Sequence, residues 1–314
     1  MNFDHHAITR PNPIFLSIGP LSVHWYAMFI ITGIILAVVV SIHEGKKRGI
    51  GSELLLDLVL PGVPLCILGA RIYYVLFNLP FFLQNPGRIF AIHHGGLAIH
   101  GGIIVAGLFA WWYLKKKQIP LLPILDLVAV GFFIGQILGR FGNFMNQEAY
   151  GRAVDAVNLD AQREFLTSLF IPEFIVNGMF IQGNYHHPTF LYEVLLNIVG
   201  LLIAVLVLRR AKNVLIGEIA AFYAIWYSFG RIFIESLRTD SLMIGPLRTA
   251  QVISIATILV VGALVVYRRK NKIGLTPYNT FYLETYLAEQ RRKNNYQKKT
   301  NKKNNPNKTK SKKK

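Results

Sequence analysis

The densest set of side chains able to do chemistry lies in the stretch GRFGNFMNQEAYG, from Gly139 to Gly151. Arg140, Asn143, Asn146, Gln147 and Glu148 close an apolar run that begins near Leu121 and reads as a membrane helix. A charge at the centre of such a helix costs about 2.5–3.5 kcal/mol on insertion scales, so it needs a partner or a task. On a continuing helix Arg140, Asn143 and Gln147 share one face, because positions three and four apart are neighbours. Gly139, Gly142 and Gly151 would let backbone or ligand approach closely. A polar helix cap at the membrane surface would use the same residue types, and the stretch alone leaves both readings open.

A second polar stripe enlarges the choice. Tyr227, Arg231, Glu235 and Arg238 are spaced by four, four and three residues and fall on one helix face. Arg231 and Glu235 could simply neutralise each other. Arginines brought to one depth from two helices would instead make an anion site, since guanidinium groups bind phosphate bidentately and stay charged. His100, in HHGGLAIHGG from His93 to Gly102, can exchange protons near neutrality or serve as a packing residue. Glycine pairs at 95–96 and 101–102 bracket it, which fits either close helix contact or a backbone opening toward ligand. His93 and His94 read as surface residues. Tyr26, in VHWYAM, lies in the outer part of the first span, where an aromatic belt is also expected. Arg71, in GARIYYVLF, is a charge inside a span, with Glu148 or Glu235 as possible partners. HxxxH, HExxH and GxSxG are absent, so zinc and serine-hydrolase chemistry have no support and no metal is expected.

The elements that must carry these residues follow from composition. The chain has 314 residues, 53% hydrophobic and 16% charged, with a formal charge of +18. That describes a membrane protein with basic inner loops better than a soluble basic protein. Twelve Lys or Arg fall between Arg291 and Lys314, leaving 22 basic residues against 16 acidic in the body, so nucleic acid is a poor candidate partner. The expected architecture is all-α, with about seven transmembrane helices near 19–42, 54–78, 96–114, 121–143, 188–208, 214–235 and 249–267. Residues 1–270 form the membrane domain, 144–187 a small external head, and 271–314 a basic tail expected to be disordered. Short linkers with Lys46–Arg48, Lys115–Lys117, Arg209–Lys212 and Arg268–Lys272 are placed on the cytoplasmic side by the positive-inside rule. This orientation puts the N-terminus outside and the C-terminus inside, and every lysine then lies on the inner side. Cys66, the single cysteine, sits in an apolar run and reads as helix packing; no disulfide can form within the chain. The span 21–40 is long and lacks a small-residue cleavage pattern, so no cleavable signal is read. A transporter would need polar residues through the whole membrane depth. A membrane interaction protein recruiting anionic lipid would use the tail but leave Arg140, Glu148, His100 and Arg231 without a task.

GRFGNFMNQEAYG closely resembles the signature of the bacterial prolipoprotein diacylglyceryl transferases. VHWYAM, GARIYYVLF, GGLAIHGG, HPTFLYE and GRIFIESLR appear in that family's order, over about Leu16 to Tyr267. The resemblance implies transfer of diacylglyceryl from phosphatidylglycerol to the lipobox cysteine thiol of prolipoprotein signal peptides, at the bacterial cytoplasmic membrane and without a cofactor. Residue by residue, it places essential family residues on Arg140, Asn143, Glu148 and Gly151, on His100 and Tyr26, and on Tyr227 and Arg231, with Glu235 and Arg238 following. In that scheme Arg140 and Arg231 hold the phosphodiester, with Asn143, Gly151, Tyr227, Glu235 and Arg238 around the lipid headgroup. His100 is the candidate for activating the thiol; Tyr26, or a thiol pKa depressed by the arginines, could serve instead.

Overall fold

The computed structural model describes residues 4–5, 8, 10–19, 21–91, 95–239 and 241–292. His93, His94 and the tail beyond 292 lie outside the described residues. In chain order the elements are a hairpin of β1 (Ile14–Ile18) and β2 (Leu21–His24), α1 (Trp25–Lys46), α2 (Ser52–Phe77) and a short α3 (Leu79–Gln84). Next come α4 (Ile99–Lys116) and α5 (Leu121–Met145). Short elements α6 (Leu159–Ser168), α7 (Glu173–Gly178), β3 (Phe180–Ile181) and β4 (Asn184–Tyr185) follow. Then α8 (Thr189–Leu202) runs into a π-helical turn at Ile203–Leu208, followed by α9 (Glu218–Leu237), the hairpin of β5 (Met243–Ile244) and β6 (Leu247–Arg248), and α10 (Thr249–Lys270).

Five of these helical segments, 25–46, 52–77, 121–145, 189–208 and 249–270, are long and apolar enough to cross a membrane. The other two segments expected to span, α4 and α9, are helical but more polar, carrying His100, Lys115 and Lys116 in one and Arg231 and Glu235 in the other.

The central helix is α5, which packs against α1, α8 and α9, while α2 bridges α1 to α4 and α10 packs on α9. Small residues set the closest approaches. A Cβ on Gly33 of α1 would stand 3.4 Å from the Gly135 backbone of α5, and one on Gly101 of α4 would stand 2.3 Å from the Gly69 carbonyl of α2. The pair Gly101–Gly102 is therefore a helix contact, and Cys66 packs with its Sγ against Gly102. Helices α1 and α8 run antiparallel to α5, whereas α9 runs parallel to it. The start of α1, the end of α5, the start of α8 and the end of α9 thus meet at one end of the bundle.

Polar burial is not confined to that end. At the opposite end Asp126 of α5 is fully buried and accepts from the Gly217 and Ala220 backbone N–H groups, at 2.5 and 2.9 Å. A carboxylate there satisfies orphan donors at the N-terminus of α9. Nearby, Glu44 pairs with Arg48 at 2.5 Å and with Arg209 at 3.6 Å. Arg48 also lies 3.9 Å over the Tyr278 ring. Between the two ends Val130 and Phe133 are buried in the core, with the buried Asn197 and Ser228 toward the arginine end.

The chain does not become a tail at 271. Tyr278, Phe281 and Leu283 are buried in the main core, the Tyr278 N–H donates to the Val214 carbonyl at 2.7 Å, and residues 283–292 are helical. The charge of the final residues masked this apolar strap. Residues 144–187 build a small head with its own core of Leu166, Val176, Met179 and Tyr185, seated on Phe144 and Phe190. Asn158 caps α6 by accepting from the Ala161 N–H at 2.9 Å.

Candidate anion site at the helix ends

Arg140 lies in the last turns of α5 with its side chain 18% exposed. Its Nη1 donates to Asn143 Oδ1 at 3.2 Å, and its Nη2 forms an ion pair with Glu193 Oε2. Glu193 belongs to α8, where Thr189, Phe190, Glu193, Val194, Asn197 and Gly200 form the buried stripe. That periodicity points its carboxylate into the seam with α5 and α9. The other oxygen, Oε1, lies 3.6 Å from Nη1 of Arg231 on α9, whose Nη2 meets Glu235 at 2.7 Å one turn later. Two guanidinium groups from different helices thus converge on one carboxylate from a third.

Beyond Met145 the helix stops. Gln147 and Ala149 adopt positive φ, +49° and +55°, a costly conformation for non-glycine residues. The turn brings Glu148 back over α5, where its Oε1 accepts from Asn143 at 3.0 Å and from Asn146 at 3.3 Å. Arg140, Asn143, Glu148, Arg231 and Glu235 are therefore one continuous polar network through Glu193. Tyr26, at the start of α1, lies with its ring against Gly142, where a Cβ would come within 2.5 Å of Cδ2. Its phenol is within electrostatic reach of Glu148 and Arg140.

Other expected residues are placed differently. Gln147 is off the shared helix face, because α5 ends before it, and it donates to the Gly178 carbonyl of the head at 2.9 Å. Arg71 pairs with neither Glu148 nor Glu235. It donates to the backbone carbonyls of Ile89, Gly95 and Gly96 at 2.9, 2.8 and 2.8 Å, and to that of Arg88, fixing the connection that leads into α4. The positive φ of Gly95 and Gly96 turns those carbonyls toward it. Gly151 has a packing role, since a Cβ would come within 2.8 Å of His187; its N–H donates to the His187 carbonyl at 2.9 Å and it bridges Arg238. Tyr227 stacks on Tyr223 with ring centroids 6.2 Å apart, one turn before Arg231. His100 is exposed at the start of α4, its ring 6.2 Å from that of Tyr73 on α2, and no contact joins it to the arginines among the described residues.

His187, just before α8, has its Nδ1 3.3 Å from the Tyr192 Oη of that helix. Burial, reinforced by the positive charge of Arg152 and by His186, holds its imidazole pKa below the usual histidine value. Glu193 itself was not singled out from sequence. The signal was present: an acid in an apolar helix, four residues after Thr189, needs a partner.

A multi-helix membrane protein with a paired-arginine site at one end of its bundle is the class these features define. The prolipoprotein diacylglyceryl transferase family profile matches residues 13–267, and the chain belongs to that family. It is 47% identical over 259 residues to a phosphatidylglycerol–prolipoprotein diacylglyceryl transferase of Bacillus licheniformis, covering 82% of this chain and 93% of that one. A Lysinibacillus sphaericus enzyme of the same name is 47% identical, over 82% and 92% of the two chains. One from Streptococcus pyogenes is 43% identical, over 85% and 98%.

Proposed function

We propose that this protein transfers the diacylglyceryl group of phosphatidylglycerol to the lipobox cysteine of a prolipoprotein, the first step of lipoprotein maturation. The observation that carries the reading is the convergence of Arg140 and Arg231 on Glu193 at one end of an apolar helical bundle, in a member of this family. In the reaction the cysteine sulfur attacks the glycerol carbon that bears the phosphate. The C–S bond forms, the C–O bond breaks, and glycerol phosphate leaves as a phosphomonoester. Arg140 and Arg231 hold the phosphodiester and stabilise charge growing on the departing oxygen, usually the largest catalytic term. Asn143 and Glu148 orient Arg140 and the headgroup, with Tyr26 beside them. Tyr227, Glu235, Arg238 and Gly151 shape the surrounding wall. His100 accepts the thiol proton, because a thiol of pKa near 8.5 is only slightly ionised at neutrality.

In this reading α4 and α9 complete seven spans. The helix ends carrying the arginines face outward with the head and the N-terminus, and the lysine-rich linkers face the cytoplasm of a bacterial cell. Phosphatidylglycerol enters sideways between helices, and the lipobox peptide arrives in its own membrane segment.

The test uses the full chain in detergent with phosphatidylglycerol and a lipobox peptide, following glycerol phosphate release. Arg140→Ala is expected to lose at least roughly a hundredfold in rate, the usual scale for a donor to a developing anion. A peptide with serine in place of cysteine should release nothing. Release without the thiol would identify a lipid hydrolase, and no release with any lipid would return the protein to transport or binding.

A further inference from the structure

Glu193 occupies the place between the arginines that the phosphate of the proposed reaction must share. Its side chain is 6% exposed, and among the described residues it is the acid that touches both guanidinium groups. Glu235 sits on the same helix as Arg231, four residues on, and its carboxylate pairs with that arginine. The two arms of the Glu193 bridge are unequal. Arg140 is in direct contact, whereas Arg231 Nη1 stands 3.6 Å away, outside hydrogen-bond range, and is buried with no hydrogen-bond partner among the described residues. A guanidinium with one nitrogen in ion-pair contact with Glu235 and the other held short of Glu193 is set to donate to a further anion oxygen.

We infer that Glu193 is a positioning residue that acts as a resident counter-ion. It holds two like-charged guanidinium groups side by side before lipid binds, and it repels the phosphomonoester product more strongly than the phosphodiester substrate. The charge argument is direct. A diester carries one negative charge, whereas a monoester with a second pKa near 6 carries nearly two at neutral pH. Repulsion from a fixed carboxylate in a poorly solvated site therefore about doubles when the C–O bond breaks. Two arginines without that carboxylate would bind the product best and release it slowly. The inference rests on phosphatidylglycerol being the donor.

The experiment measures inhibition of transfer by added glycerol phosphate, together with KM for phosphatidylglycerol and kcat, in the full chain in detergent. Glu193→Gln keeps the shape and removes the charge. Its inhibition constant should fall roughly tenfold, the scale of one like-charge contact removed. KM should change less, and kcat should drop as release slows. Glu193→Asp keeps the charge but draws it back, and should tighten inhibition by a smaller factor of about three. That variant decides the matter if the Gln protein does not fold. An inhibition constant unchanged or raised in either variant overturns the counter-ion role, since a scaffold role would weaken binding of both phosphates together. No transfer from phosphatidylglycerol by the wild type would overturn the donor assignment instead, a separate failure.

Discussion

His100 is the residue whose proposed role leans most on family likeness and least on contact, for it is exposed on α4 and faces Tyr73. A base that acts only on the incoming peptide thiol need not touch the arginines, which address the lipid. The two roles separate kinetically. His100→Gln should lower kcat by about 10²–10⁴, the range for general base catalysis, while KM for phosphatidylglycerol stays near wild type. Raising the pH toward the thiol pKa of about 8.5 should recover part of the loss, because thiolate then forms without help. Full activity at neutral pH in that variant would remove His100 from the chemistry. At this scale the legible residues were those whose type is costly in an apolar helix: Arg140, Asn143, Glu148, Arg231 and Glu235 stood out because their alternative was an unpaired polar group. Glu193 passed unused because a lone acid does not announce which helix will meet it. Gln147 was misplaced because helical periodicity carries no warning of the positive-φ turn that follows Met145.

The pairing of α2 with α4 illustrates what an element requires beyond apolarity. Gly69, Gly101 and Gly102 let the two backbones meet, and Arg71 ties the intervening connection by its carbonyls. A methyl on Gly101 has no flexible neighbour to displace, since it meets the Gly69 carbonyl and Tyr73 Cβ, each at 2.3 Å. Gly101→Ala is expected to cost about 1–3 kcal/mol, the usual price of overpacking, and to lower Tm in detergent. Gly107→Ala, on the same helix with nothing within 4 Å of the added carbon, should leave Tm unchanged or slightly raised. Equal melting of the two variants would mean that the helices slide apart freely and that the contact does not hold His100 in place. Five of the expected spans fall on helices long and apolar enough to cross a membrane, because twenty apolar residues admit few alternatives in a bilayer. The head was read as a small external segment without its internal contacts, since its core depends on long-range pairs such as the Tyr185 N–H with Gln162 Oε1 that no local pattern displays.

For the molecule as a whole, two polar ends are separated by an apolar middle, and they do different work. One end gathers Arg140, Arg231, Glu193 and Glu235 around the proposed anion site. The other uses Asp126 to cap α9 and Glu44 to join Arg48 and Arg209, beneath a strap in which the buried Tyr278 hydroxyl is pushed up to about 12 by loss of solvation. A continuous anion path would need polar groups between them, where Val130 and Phe133 are packed instead. The strap also divides the C-terminal region into two parts with opposite expectations. Ending the chain after residue 292 removes the lysine-rich end and none of the residues of the described core, so transfer activity and Tm should match the full chain. Ending it after residue 275 removes Tyr278, Phe281 and Leu283 from a core shared with Ile50, Leu114 and Ile216. Each large side chain is worth about 1.5–3 kcal/mol when buried, so the loss approaches the whole stability of an ordinary domain. Thermal unfolding and glycerol phosphate release, measured on both truncations in the same detergent, decide the point. A shorter protein that melts and works like the longer one would show that the bundle closes this end without the strap, and a longer one that is inactive would give the basic residues a role in catalysis.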